Sequence, residues 1–156
     1  MGRRLVLVAV GLVALALPSF DAGAAPPPKV IRLTAVTTLV RRHDVKPTGA
    51  SPGDTILDQD KVLNAARQFG KPVGAVVGSD TGTFRYGSSS ITFSGTVTLP
   101  GGKLVIKGTV EFHGTMQFVV PVTGGTGAFK GAHGTLTVVS GATAKRALNV
   151  YRVSYA

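Results

Sequence analysis

Residues 122–139 read VTGGTGAFKGAHGTLTVV, with five glycines and two alanines leading into a run of Leu, Thr and Val. Glycine packs nothing and loses more freedom on folding than any other residue. So dense a cluster before an apolar, β-branched run marks backbone that turns sharply or approaches other backbone closely at the head of a strand. A phosphate-cradling loop is the competing reading, but the Lys-Ser/Thr pair and the helix start that such a loop needs do not follow it.

Outward from this stretch, apolar and β-branched segments recur with turn signals between them. Strands are expected near 30–42, 54–63, 72–86, 90–99, 103–113, 115–122, 128–139 and 145–155. KPTGASPG (46–53) and PGG (100–102) are loop and hairpin signals. LNAARQFG (63–70) can hold a helical turn or a hairpin loop. Several strands alternate with period two. In 103–113, Leu104, Ile106, Gly108, Val110 and Phe112 share one face, and Lys103, Lys107, Glu111 and His113 the other. In 90–99, Ile91, Phe93, Gly95, Val97 and Leu99 oppose a face of Ser and Thr. Each strand therefore has a wet and a dry side. Eight consecutive strands with no helices to cover them predict an all-β barrel or sandwich. Glycines on the dry faces suit a small, strongly coiled barrel, whose interior holds packed side chains or one small ligand.

The landmarks together resemble the allene oxide cyclase and dirigent barrel superfamily. Gly124, Gly125, Thr126, Gly127, Phe129, Ala132 and Gly134 stand at the positions of its G-G-[TA]-G-x-F-x-x-A-x-G signature. PGD (52–54), VGSDTGTF (77–84) and LPGGKLVIKGTV (99–110) agree with it in order and spacing. The resemblance covers about residues 30–155 and implies an eight-stranded antiparallel β-barrel, often trimeric, with an apolar lumen. Relatives use that lumen to fold, cyclise or stereochemically orient small hydrophobic molecules without cofactor or metal. Departures are equally visible. Glu111 is the only glutamate, so the strand-one glutamate of plant allene oxide cyclases has no counterpart. Phe84 stands where those enzymes carry a cysteine and Val110 where they carry a tyrosine. His133 replaces the arginine usual at the end of the dirigent signature. The plant cyclase reaction itself is therefore not expected.

The chain opens with Arg3 and Arg4, then 13 apolar residues (5–17), then Ala22-x-Ala24. That order is a secretory signal peptide, and the apolar run falls short of the ~20 residues that span a bilayer. The expected organisation is a signal peptide over 1–24, a proline-rich leader over 25–29 and one barrel domain over 30–156, secreted and with no membrane anchor. Two of the 17 basic residues and one of the seven acidic ones lie in 1–24, so the remaining 132 residues carry a net charge of +9. The basic residues are scattered and not interleaved with aromatics, which reads as a cationic exterior rather than a specific nucleic-acid surface. With no cysteine, disulfides cannot support the fold, and burial and hydrogen-bonded closure carry it.

Alternation along the third strand places Gly74, Val76, Gly78, Asp80, Gly82, Phe84 and Tyr86 inward. Asp80 and Tyr86 are the candidate catalytic pair, a carboxyl and a phenol able to act on a ligand hydroxyl or carbonyl. Asp60, Phe84, Val110 and Phe112 are the candidate ligand-binding residues, Asp60 through its match to a pocket polar residue of the cyclases. Asp80 capping a GSDTG turn, and Asp60 facing solvent beside Lys61, are the competing structural readings. Glu111 and His113 share a face but lack a third partner, so no metal site is expected. The functional expectation is a barrel that binds a small hydrophobic molecule and guides its cyclisation, isomerisation or coupling. The alternative is a non-catalytic structural or surface-interaction barrel with a filled lumen.

Overall fold

A computed structural model describes residues 27, 29–111, 117–141, 143 and 145–155. The segment assigned to export, and Phe112 and His113, lie outside the described residues.

The expected alternation builds eight strands: β1 (Val30–His43), β2 (Thr55–Asn64), β3 (Val76–Tyr86), β4 (Ser90–Leu99), β5 (Gly102–Glu111), β6 (Gln117–Gly127), β7 (His133–Ser140) and β8 (Arg146–Ser154). Each pairs antiparallel with the next, and β8 pairs with β1, closing the barrel. Closure leaves no unpaired edge. The dry face of β5 behaves as the alternation requires. Leu104 and Ile106 are buried and Val110 packs half-buried against the core, while Lys103, Lys107 and Glu111 are exposed. LNAARQFG forms no helix; it is the loop from β2 to β3, held by the Asn64 amide nitrogen donating to the carbonyls of Gln68 and Lys71 at 2.8 and 3.1 Å.

The glycine cluster that opened the reading lies within a strand rather than before one. Gly124, Gly125, Thr126 and Gly127 are the last residues of β6, and the turn occupies 128–132. At Gly125 a Cβ would sit 2.8 Å from the Lys103 carbonyl oxygen and closer still to that of Phe129, so two backbones approach where only glycine fits. Gly127 has φ +61°, the left-handed region that lets the chain turn at the rim. The turn then drops Phe129 and Ala132 into the barrel end, where both are fully or almost fully buried. With Ile31, Leu99, Leu104 and Val153 they close that end with apolar side chains.

At the opposite rim, Asp54 organises the loop that enters β2. Its carboxylate accepts from the Val45 and Ser51 backbone N–H groups at 2.8 and 3.0 Å and from the Ser51 hydroxyl at 3.1 Å. These bonds, the two from the backbone above all, hold its pKa below the ordinary carboxylate value.

Two expectations for the third strand are corrected. The strand starts at Val76, not residue 72, and Gly74 precedes it in a left-handed conformation. The β2–β3 register shifts between Val62, opposite Gly78, and Leu63, opposite Val76. The bulge leaves Val76 exposed and puts Val77 in the core.

Candidate functional site

Above the apolar plug the lumen stays open as a cavity of about 230 Å³. It runs toward the rim where β7 ends and β8 begins, and there the exposed Ser140 and Arg146 border it. The lumen is therefore not packed shut.

One wall of this cavity is polar, and β2 supplies most of it. Asp58 and Asp60 are two residues apart, so the pleat aims both to the same side. Asp80 on β3 is the direct register partner of Asp60, and Thr37 on β1 faces Asp60 from the other flank. Asp60 is hydrogen-bonded to Thr37, Asp80 and Asp58. On β8, Asn149 and Tyr151 also share the inward face, and their side chains are hydrogen-bonded to each other. The facing wall is apolar. Phe84 and Phe93 lie with ring centroids 4.7 Å apart and planes tilted by 44°, and Ile106, Phe118, Leu136 and Val138 continue the surface.

Three carboxyl groups crowded together and partly buried resist being charged all at once. Burial is the main force on each, and the neighbouring carboxylates add to it for two of them. Asp80 is pushed up to about 8 by burial and then by the charges of Asp60 and Asp58. Asp58 is raised to about 6 by burial and by Asp60. Asp60 is raised by burial, against the pull of its hydrogen bonds to Thr37, Asp80 and Asp58. The Tyr151 phenol is raised too, by complete burial and then by Asp80, and it stays protonated. Near neutral pH the cluster holds at least one shared proton, and its titration belongs to the group rather than to any single residue. It can both give and take a proton inside an apolar chamber.

Of the residues singled out from the sequence, Asp60, Asp80 and Phe84 meet at the cavity. Asp80 lies within β3 and caps no turn. Tyr86 is at the rim instead. Its backbone N–H donates to the Asp54 carbonyl, its own carbonyl accepts from Gly53, and its side chain does not border the cavity, so it does not pair with Asp80 there. Val110 packs against the core but does not line the cavity. Phe112 lies outside the described residues. The inward glycines also behave differently from expectation. A Cβ on Gly82 or Gly95 would come within 2.7 or 2.8 Å of the Phe93 ring, so these glycines seat that ring rather than leave room for a ligand. The phenol of the site is Tyr151, and Asp58 and Asn149 join it. All three follow from period-two alternation in LDQDKVLN (57–64) and ALNVYRV (147–153). Among the described residues no three His, Asp or Glu side chains are arranged to hold a metal ion.

No protein-family model matches the sequence, and no curated protein aligns with it significantly. Solved structures do match. The barrel superposes on a pyocyanin demethylase with a TM-score of 0.66 at 22% identity, covering 80% of this chain and 99% of that one. The barrel fold is shared with this enzyme and with dirigent proteins. Within these barrels it also resembles AbnU, an exo-specific intermolecular Diels-Alderase (TM-score 0.63, 15% identity, 80% and 94% covered). A third match is the pterocarpan synthase dirigent protein GePTS1 (TM-score 0.59, 16% identity, 81% and 88% covered). Identities at this level establish the shared barrel, and the chemistry rests on the cavity of this chain.

Proposed function

We propose that this protein is an exported barrel that binds a small, largely apolar molecule in its lumen and guides its cyclisation, isomerisation or coupling, with the Asp58–Asp60–Asp80 cluster exchanging the proton. The observation that carries the reading is the pairing of a cavity of about 230 Å³ with carboxyls whose protonation is set by burial inside it. An apolar chamber with a few convergent polar groups of perturbed pKa is the usual make-up of a small-molecule site. Neighbouring barrels described as Diels-Alderases and as a pterocarpan synthase dirigent protein lend the reaction class. The apolar run over residues 5–17, with its flanking Arg pair and Ala22-x-Ala24, supports export with removal of residues 1–24.

The test is saturable binding of a fluorescent apolar probe by the purified protein. Asp80→Asn keeps the side-chain shape, so it should retain the melting temperature near neutral pH or raise it, while changing probe affinity. A probe that fails to saturate refutes the lumen-binding reading. The intact mass of protein recovered from culture medium or periplasm checks export, and a species retaining Leu5 refutes cleavage.

A further inference from the structure

Three buried acceptor atoms around the cavity have no hydrogen-bond partner: one carboxyl oxygen each of Asp58 and Asp60, and the amide oxygen of Asn149. Asn149 is only 6% exposed and lines the cavity, so its unpaired oxygen is a buried group that faces a place where a ligand can sit. Leaving an acceptor buried and unpaired is costly, and three around one chamber call for a donor from outside the chain. They lie on the two strands that flank β1, and the β1 side chains that border the cavity are the short ones of Ala35 and Thr37. A ligand group therefore has room to reach both sides at once.

The charges point the same way. The groups facing the cluster are Thr37 from β1, Asp80 from β3, and Asn149, Tyr151 and Arg146 from β8; β4, β5, β6 and β7 bring no charged side chain to the cavity. Arg146 is at the exposed rim. Among the described residues the inner chamber thus holds three carboxyls and no fixed cation. Its size also limits the ligand. A cavity of about 150 Å³ holds benzene, so one of about 230 Å³ holds roughly two fused rings.

We propose that the lumen selects a planar aromatic ligand of about two rings bearing a cationic, hydrogen-donating nitrogen, seated with that nitrogen between Asp58, Asp60 and Asn149 and its rings against Phe84, Phe93 and Phe118. This rests on the lumen-binding reading above and specifies its ligand class. The ligand's N–H groups can satisfy two of the three orphaned oxygens at once, and the positive charge replaces the proton that the carboxyl cluster otherwise shares. A neutral or anionic ring of the same size leaves the acceptors unpaired and is rejected by what it fails to offer. Binding then releases a proton, because a cation beside the carboxyls favours their ionised form.

Calorimetric titration of the purified protein with three bicyclic probes decides the matter: protonated 4-aminoquinoline, neutral quinoline and anionic 1-naphthoate. The expected order near neutral pH is 4-aminoquinoline at least about tenfold tighter than quinoline, with naphthoate weakest. Affinity for 4-aminoquinoline should rise from about pH 5 to about pH 8 as the carboxyls lose their protons, with proton release detected by comparing buffers of different ionisation enthalpy. Asn149→Leu and Asp60→Asn should each bring the ratio of 4-aminoquinoline to quinoline affinity down toward one. Quinoline or naphthoate binding as tightly as 4-aminoquinoline overturns this inference and leaves lumen binding standing. Failure of all three to bind overturns both. The ranking on the unaltered protein decides the question even where a variant does not fold.

Discussion

Raising pH from about 5 to about 7 should destabilise this protein, because its buried carboxyls prefer to be protonated when folded. In the unfolded chain Asp80 titrates near 3.8; in the barrel it titrates near 8. Between those values the folded state binds a proton that the unfolded state has lost, so unfolding free energy falls as pH rises. The contribution is fully present below the unfolded value and is lost as pH climbs through the folded one. A single group in this window changes stability by at most about 1.4 kcal/mol per pH unit, or about 2.7 kcal/mol over two units. Solvent reaching Asp80 through the open rim reduces this to about 2 kcal/mol, a drop of roughly 5–10 °C in melting temperature for a domain of this size. Asp58, raised to about 6 and more accessible, adds a smaller decline in the lower part of the same window. Asp54 works in the opposite direction but elsewhere. Its lowered pKa contributes stability above the ordinary carboxylate value and loses it only on acidification below about pH 4. The stability maximum should therefore lie near about pH 4–5. The assay is urea denaturation at a series of pH values, on the wild type and on Asp80→Asn, which should flatten the slope by more than half and be the more stable protein near pH 7. A wild-type stability that is flat or rises between about pH 5 and 7, or an unchanged slope in Asp80→Asn, refutes the placement of the carboxyls in a desolvated lumen.

Two further outcomes test the frame around the site. Phe129→Ala should cost about 3–5 kcal/mol, because the ring is fully buried at the closed end; chemical denaturation measures it, and a loss under about 1 kcal/mol removes Phe129 from the plug. Gly82→Val should push the Phe93 ring, which a Cβ there approaches to 2.7 Å, out of its seat and into the cavity, lowering stability by about 1–3 kcal/mol and probe affinity at least about tenfold. Unchanged affinity in a folded Gly82→Val protein shows that the ring does not border the ligand.

The strands were legible in the sequence because one wet and one dry face leave a period-two trace on each. Closure into a barrel rather than a sandwich rested on the resemblance carried by the glycine signature. The alternation in 103–113 told which side of β5 is buried, and the run from Gly124 to Gly134 marked the rim with its Phe plug. Legibility failed where one residue shifts the phase. The bulge opposite Val62 and Leu63 swaps the fates of Val76 and Val77, and nothing in KPVGAVVGSD announces it. The inward glycines misled for a related reason. A glycine shows that its own side chain is missing, but not that Phe93 from the adjacent strand fills the space. Tyr86 was assigned to the lumen on correct alternation alone, yet its height on the strand puts it at the rim. Asp58, Asn149 and Tyr151 show the opposite limit. Their inward phase is readable, but a shared chamber between β2 and β8 appears only once β1 is known to lie between them.

The two halves of the lumen differ in what they do for the fold. At the closed end every inward position is apolar apart from Asn64, which is tied into the β2–β3 loop, and burial there supplies the stability that a chain without cysteines needs. At the open end, Asp58, Asp60 and Asp80 repel one another, leave oxygens unpaired and lower stability at neutral pH. Valine or leucine at these positions would fill the cavity and stabilise the barrel, as replacing buried charged groups by packed apolar ones often does. Groups that weaken the folded state while facing an open chamber are what a ligand site looks like before its ligand arrives, since binding restores the missing hydrogen bonds and stabilises the protein in proportion to ligand concentration. The same carboxyls that tilt the pH profile are therefore the reason to look for a ligand in the lumen and not on the barrel's cationic exterior.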